Sequence, residues 1–214
     1  MNIDLKILLF SVMFVPIFTL THEFGHYVAA RIIGYDSQIH YNKTSSTGST
    51  SKELLLITKE NQERDKTQTL SSSDDNVDFL TKKFIKEKTI IVSGGLLITY
   101  MLGFIGLYFL RKNRDSLVSL FLSLFTLRSF VVLLHFAFNK NKSNVTYDEF
   151  RLSELLFAKA WVMPTLLGFI SFLLGLYIYK NFIQNKKVFI LNSLLGCGLG
   201  ILLWFILLGP ILLP

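Results

Sequence analysis

Five long apolar runs dominate this 214-residue sequence, in which 51% of the residues are hydrophobic. When helical, a run of about twenty apolar residues spans the roughly 30 Å hydrocarbon core of a bilayer, and a water-soluble domain has no means of burying five such runs. We therefore predict an all-α polytopic membrane protein with five transmembrane helices. The predicted helices cover residues 5–34, 89–110, 116–138, 160–179 and 188–213.

The stretch between the first and second predicted helices, residues 35–88, differs sharply in composition. It is rich in Ser, Thr, Lys and Asp and has only short apolar runs. We predict a polar, partly flexible insertion on the membrane surface, in which Gln38–Tyr41 and Leu54–Thr58 form short strands of a small hairpin. The chain then divides into a first helix (1–34), this insertion (35–88) and the remaining transmembrane core (89–214). The pattern indicates no role for residues 51–88.

Charge favours a membrane partner over a nucleic acid. The chain carries 22 Lys and Arg against 15 Asp and Glu, and it has no compact basic patch with interleaved aromatic residues. Loop lysines of this kind typically face lipid head groups and the cytoplasm. Because 14 of the Lys and Arg lie on the side where the first helix ends and 7 on the other, we predict that the first side is cytoplasmic. No small-x-small cleavage site follows the first apolar run, so we expect that run to be retained.

The first predicted helix contains the pattern His22-Glu23-Phe24-Gly25-His26. Two histidines four residues apart project from the same face of a helix, and this spacing allows both imidazoles to reach one Zn²⁺. The intervening Glu23 is suited to deprotonate a water molecule on the metal. A pair of histidines packed in a helix bundle is the alternative. Because ionisable residues inside a membrane helix are costly and usually functional, we favour the zinc interpretation.

A catalytic zinc ion needs a third protein ligand, which should come from the side on which the first helix ends. We favour Asp148, which lies in a polar segment between two predicted helices, where an unpaired carboxylate would be costly. Asp148 would also suit the N-terminus of a short helix. His135 is another candidate ligand, although a supporting group or a histidine at a membrane boundary is the favoured interpretation. We predict that Arg128 pairs with a carboxylate or with backbone carbonyls. The remaining candidates are Asp36, His40, Glu53, Glu149 and Glu154.

The stretch THEFGHYVAARIIGYD resembles the first core helix of the site-2 protease family of intramembrane zinc metalloproteases, in particular its compact bacterial branch. In that branch a turn region rich in Gly, Ser and Thr follows, as in residues 41–50, and a later helix opens with small residues, as at Ser93-Gly94-Gly95. A later Asp supplies the third ligand, and Asp148 stands at the corresponding point. This chain lacks the Pro and Asn usual after the glycines, and Glu149 follows Asp148 where the family has Gly.

The resemblance implies that His22, His26 and Asp148 hold Zn²⁺ and that Glu23 is the general base. It also implies hydrolysis of a peptide bond in or near a transmembrane segment of a membrane-protein substrate, through attack by zinc-bound water. The location would be a bacterial cytoplasmic membrane, with the active site nearer the cytoplasmic face. The predicted partners are therefore the lipid bilayer and a membrane-protein or peptide substrate, and the sequence indicates no oligomeric state.

Two other classes of function fit the same residues. A metal-binding membrane protein without proteolytic activity, such as a transporter component, would need the metal ligands but no general base. A catalytically inactive homologue that acts only through interactions would need neither. The role of Glu23 distinguishes the first alternative, and the presence of stoichiometric metal distinguishes the second.

Overall fold

The protein folds into a bundle of membrane-length helices with one small hairpin, described here from a computed structural model that covers residues 3–50, 52, 74–113, 116–138, 147–157 and 159–213. Within these residues, five helical segments are long and apolar enough to cross a bilayer, which confirms the predicted fold class and fits an integral membrane protein. These segments are Leu5–Ile32, Asp78–Lys112, Leu117–Phe138, Val162–Asn181 and Lys186–Leu212.

The elements follow one another along the chain in a simple order. They are α1 (Leu5–Ile32), β1 (Asp36–Ile39), β2 (Thr44–Thr47), α2 (Asp74–Lys112), α3 (Leu117–Ser123), α4 (Arg128–Phe138), α5 (Asp148–Phe157), α6 (Val162–Asn181), α7 (Lys186–Ile201) and α8 (Gly209–Leu212). A 3₁₀ turn, Leu124–Leu127, joins α3 to α4 within the third span, and a π-helical segment, Leu202–Leu208, joins α7 to α8 within the fifth.

The region after α1 differs from the expectation at two points. Helix α2 begins at Asp74, within the predicted polar insertion, and its 39 residues extend over about 58 Å, so its polar first turns continue beyond a bilayer core. The hairpin pairs Asp36–Ile39 with Thr44–Thr47. The expected second strand, Leu54–Thr58, lies outside the described residues. A nearer, Ser/Thr-rich segment is the partner because a short turn closes it at once onto β1.

Both ends of α1 are set by local chemistry. The Asp4 carboxylate accepts hydrogen bonds from the backbone N–H groups of Lys6 and Ile7, at 3.0 and 3.2 Å, and so caps the helix. At the other end Gly34 adopts φ +83°, in the left-handed region that favours glycine, and the Tyr35 N–H donates to the Ala30 carbonyl at 2.9 Å. The chain therefore turns directly from the end of α1 into β1.

Close packing around α1 depends on small residues. Gly196 and Gly200 of α7 face α1, where an added Cβ would lie 2.5 Å from the Ser11 Cβ or 2.6 Å from the Val12 carbonyl oxygen. Helix α2 approaches α1 from another direction, and a Cβ on Gly94 would lie 2.5 Å from the Gly25 carbonyl oxygen. Membrane helices associate through this kind of backbone proximity, because lipid is as apolar as their side chains. As a result, α1 is held between α2 and α7.

The hairpin is tied to two helices. The Tyr35 hydroxyl donates to the Glu87 carboxylate on α2 at 2.6 Å, and the Trp204 indole N–H donates to the Tyr41 carbonyl at 3.1 Å. Trp204 belongs to the π-helical segment of the fifth span. These contacts fix the sheet over the end of α1 that carries the two histidines.

We expect Gly94→Ala to lower the stability of the fold, because its methyl group would overlap with the backbone of α1. Overpacking of this kind costs about 1–3 kcal/mol. The matched control is Gly198→Ala, since an added Cβ at Gly198 on α7 has no atom within 4 Å. Thermal unfolding of the purified protein in detergent measures both variants. Equal midpoints for the two variants would contradict the proposed close contact between α1 and α2.

Candidate metal centre

Three donor atoms from two separate helices converge at the end of α1. His22 Nε2 lies 2.7 Å from Asp148 Oδ2, His26 Nε2 lies 3.1 Å from the same oxygen, and the two Nε2 atoms are 3.0 Å apart. All three residues are buried. Among the described residues, this is the group of histidine and carboxylate side chains that could hold a metal ion.

The backbone of α2 orients His26. His26 Nδ1 lies 2.8 Å from the carbonyl oxygen of Ile91. Because a carbonyl can only accept, Nδ1 must carry the proton, which leaves the lone pair of Nε2 available. Metal-binding histidines are commonly held by such a bond from the other ring nitrogen.

His22 has two hydrogen-bonding alternatives at its Nδ1 atom. The Thr99 hydroxyl lies 3.0 Å away and itself donates to the Gly95 carbonyl at 2.7 Å, so it can accept a proton from Nδ1. The Arg128 guanidinium, which can only donate, lies 2.8 Å from the same atom. When His22 donates to Thr99, its Nε2 is free to bind a metal. When it accepts from Arg128, its Nε2 donates to Asp148.

Gly95 allows the backbone of α2 to approach both imidazole rings. A Cβ at this position would overlap with His26 Nε2 and would lie 2.6 Å from His22 Cε1. Any side chain here would therefore occupy the space between the donor atoms. The glycine is required by the site as well as by helix packing.

Asp148 opens α5 and is held by an arginine from the third span. Arg128 Nη2 donates to Asp148 Oδ2 at 3.1 Å, which confirms the prediction that Arg128 pairs with a carboxylate. Burial acts to raise the pKa of the Asp148 carboxyl, but the two neighbouring histidines and the charge of Arg128 outweigh it and hold that pKa well below its usual range. Asp148 is therefore an anion, which is the form that binds a metal.

Glu149 lies behind Asp148 and is fully buried. The Ser129 hydroxyl donates to Glu149 Oε1 at 2.7 Å, and Arg128 Nη2 lies 4.0 Å from Oε2, which has no hydrogen-bond partner among the described residues. Glu149 thus joins the start of α5 to the start of α4. It directs its carboxylate away from the histidines, whereas Asp148 faces them.

The remaining candidate ligands lie apart from the donor group. His135 Nδ1 lies 2.9 Å from the Tyr147 hydroxyl, and the exposed Asp36 pairs with Arg31 at 3.3 Å. His40 Nε2 lies 3.1 Å from the Ser45 hydroxyl on the exposed hairpin. Glu154 lines the cavity described next, and Glu53 lies outside the described residues.

A cavity of about 800 Å³ opens onto the donor group. Glu23 lines it beside the two histidines, so a carboxylate outside the donor group faces the same space. Its walls come from α1, α2, α4, α5 and the hairpin. The polar and charged residues of the lining are Thr19, His22, Glu23, His26, Asn42, Lys43, Thr44, Ser46, Lys88, Arg128, Tyr147, Asp148, Arg151 and Glu154.

Among the described residues, no strand pairs with the outer edge of β2, which lies beside this cavity and is called the free edge below. The His40 N–H donates to the Lys43 carbonyl at 2.8 Å, so these two residues form the hydrogen-bonded pair next to the turn. Bonded and non-bonded pairs alternate in an antiparallel ladder, so the backbone groups of Thr44 and Ser46 point away from β1. The Thr44 hydroxyl also donates to the Glu23 carbonyl at 2.9 Å. The free edge is thus attached to the helix turn that carries the metal donors.

Sequence reasoning did not identify the groups that orient the histidines. Thr99 and Ile91 belong to no recognisable sequence motif, since any backbone carbonyl or small hydroxyl could accept the hydrogen bond from a histidine Nδ1. In the sequence, Gly95 was notable only as one of the small residues of Ser93-Gly94-Gly95 that open a later helix. The polar Thr99 within an apolar span was the one available signal, because a hydroxyl at membrane depth needs a partner.

Comparison with protein-family models, with curated proteins and with solved structures finds no match to this chain.

We expect Glu149→Ala to weaken metal binding by about 10–100-fold, the usual effect of losing a residue that supports a ligand. The variant removes the acceptor that ties α5 to Ser129 and frees Asp148 to move. Glu149→Gln is the matched control, because its amide oxygen can still accept from Ser129 and it should lose less affinity. Titration with Co²⁺, followed by its absorption spectrum, measures both variants. Wild-type affinity in Glu149→Ala would contradict this role.

Proposed function

We propose that the protein is an intramembrane zinc metalloprotease of the site-2 protease type, which hydrolyses a peptide bond in or near a transmembrane segment of a membrane-protein substrate. The observation that carries this proposal is the convergence of His22, His26 and Asp148 with Glu23 in one cavity at the end of a membrane-length helix. His22 and Asp148 are 126 residues apart in the sequence. Burying ionisable side chains together costs free energy, and such groups in membrane proteins are usually functional.

The donor set fits zinc. Two imidazole nitrogens and one carboxylate oxygen are typical ligands of a catalytic zinc site, which keeps a fourth position open. Zinc bonds of about 2.0–2.1 Å in a tetrahedron place neighbouring ligand atoms about 3.3 Å apart. The three separations between donor atoms, 2.7, 3.0 and 3.1 Å, are close to that value. The cavity provides space on the open side.

The chain's own residues account for the remaining steps of peptide hydrolysis. When bound, zinc supplies a Lewis acid that polarises the substrate carbonyl and makes water more acidic. Glu23 accepts the proton of the attacking water and returns it to the leaving amine. Ile91 and Thr99 hold the imidazole rings in the orientation that exposes Nε2. Arg128 keeps Asp148 ionised.

The free edge of β2 suits an extended substrate. A helical substrate hides its carbonyls from attack, so the segment to be cut must unwind. An extended segment can hydrogen-bond to the outward backbone groups of Thr44 and Ser46, as peptides do when they add a strand to a sheet. Because Thr44 is bonded to the Glu23 backbone, the added strand would lie next to the metal donors.

We also propose that the protein resides in a bacterial cytoplasmic membrane, with the metal centre nearer the cytoplasmic face. The motif lies in the last third of α1, close to the end from which the hairpin continues. Loops on this side carry the larger share of the Lys and Arg, which favours the cytoplasm.

Metal analysis of the purified protein tests the proposed centre. We expect wild type to hold one zinc per chain, and His22→Ala and Asp148→Ala to lose more affinity than the roughly 10–100-fold typical of a supporting residue. Glu23→Gln should retain zinc but reduce hydrolysis of quenched fluorescent peptides by about 10²–10⁴-fold, because the general base is lost.

Other outcomes would point to the alternative functions. Zinc retained in Asp148→Ala with full activity would show that Asp148 is not the third ligand. Full function in Glu23→Gln would favour a metal-binding membrane protein without protease activity. Wild type without stoichiometric zinc would favour an inactive interaction protein.

We expect Ser46→Pro to weaken substrate binding, because proline removes the outward N–H at the free edge of β2 without breaking a ladder bond. The loss of one hydrogen bond is worth about 0.5–1.5 kcal/mol, or roughly 2–10-fold in KM. Ser46→Ala keeps the N–H and is the control. Peptide hydrolysis measured beside zinc content checks both variants. Unchanged KM in Ser46→Pro would exclude strand addition at this edge.

A further inference from the structure

Three basic side chains line the metal-centre cavity without an ion-pair partner among the residues that the structure describes. They are Lys43 in the hairpin turn, Lys88 on α2 and Arg151 on α5. Apart from Glu23 and the donor Asp148, Glu154 is the carboxylate in the described lining. The part of the cavity outside the donor group therefore carries surplus positive charge.

Each of these cations lies next to a residue that contacts the site. Lys43 precedes Thr44, which is bonded to the Glu23 backbone. Lys88 lies one helical turn before the Ile91 carbonyl that orients His26, and Arg151 lies one turn after Asp148. Lys88 and Arg151 both line this cavity, so their like charges face the same space. Like charges brought to one cavity from three separate elements favour the binding of an anionic group there.

We propose that this cavity selects an acidic peptide segment, whose carboxylates next to the scissile bond contact Lys43, Lys88 and Arg151. The inference depends on the proposed protease function and names its substrate class. The same charges repel segments rich in Lys and Arg, which commonly flank membrane helices on their cytoplasmic side. The cavity would thus attract acidic segments and exclude the basic segments that commonly flank membrane helices.

A peptide carboxylate is favoured over a lipid phosphate because of where the cations lie. All three line the same cavity as the metal donors and the free edge of β2, the space that a substrate must enter. The polar groups of Asn42, Thr44 and Ser46 share that lining and suit a peptide backbone.

Binding of short fluorescent peptides to the full chain carrying Glu23→Gln tests the proposal. The peptides differ only in whether Glu, Gln or Lys flanks a common central sequence, and a neutral detergent replaces the lipid. We expect the Glu peptide to bind at least about tenfold more tightly than the Lys peptide, with the difference shrinking as salt is added.

Charge reversal identifies the groups responsible. Adding Lys88→Glu and Arg151→Glu should reverse the order of the peptides. Lys86→Glu with Lys180→Glu, which makes the same charge change at exposed positions outside the cavity lining, should leave the order unchanged. Zinc content, measured in parallel, shows whether each variant keeps the donor group intact.

Three results would overturn the proposal. The first is equal binding of all three peptides. The second is a preference for Glu that survives the charge reversal, because the carboxylate would then be bound at the metal. The third is a charge-reversal variant that binds the peptides as before but binds differently to vesicles containing phosphatidylglycerol. The basic side chains would then contact lipid head groups rather than a peptide.

The experiments distinguish failure of the proposed protease function from failure of the proposed preference for acidic peptides. Hydrolysis of the Gln peptide by wild type, without a preference for Glu, would retain the protease and remove the selection. A charge-dependent preference in a wild type that hydrolyses none of the peptides would retain acidic-peptide binding and remove the protease.

Discussion

Buried ionisable groups must find partners, and this requirement shapes the whole bundle. Asp148 Oδ2 alone contacts His22, His26 and Arg128, which come from the first and third spans. An unpaired carboxylate or guanidinium buried in this way would cost several kcal/mol. The helices are therefore arranged so that α5, too short to cross a bilayer, enters beside α1 with its first residue facing the histidines.

Backbone proximity makes this arrangement possible. Gly94 brings α2 against α1, and Gly95 brings its backbone beside the two imidazoles. The Ile91 carbonyl and the Thr99 hydroxyl then reach the ring nitrogens that face away from the donor group. Helix packing and histidine orientation thus depend on the same stretch of α2. A change in either is expected to alter both.

The fold class was predictable from the sequence because each membrane span is a local property, readable from one apolar run. The proximity of His22 and His26 was predictable for the same reason, since their four-residue spacing puts both imidazoles on one face of α1. Asp148 was favoured from its position between two spans, and the structure brings it to the histidines. The early start of α2 and the pairing of β1 with β2 were not predicted, because polar sequences form helices or strands according to tertiary contacts such as that between Tyr35 and Glu87.

Arg128 Nη2 lies near the carboxylates of both Asp148 and Glu149, and this arrangement constrains how such a site can evolve. Losing either carboxylate leaves a largely buried cation with fewer partners. Losing the arginine leaves two adjacent carboxylates, one of which has an oxygen without a hydrogen-bond partner among the described residues. A variant with one of these residues replaced is therefore expected to be strongly destabilised. A variant with several replaced together need not be, because the effects of substitutions within one charged network are not additive. Positions 128, 148 and 149 should consequently covary during the evolution of this chain.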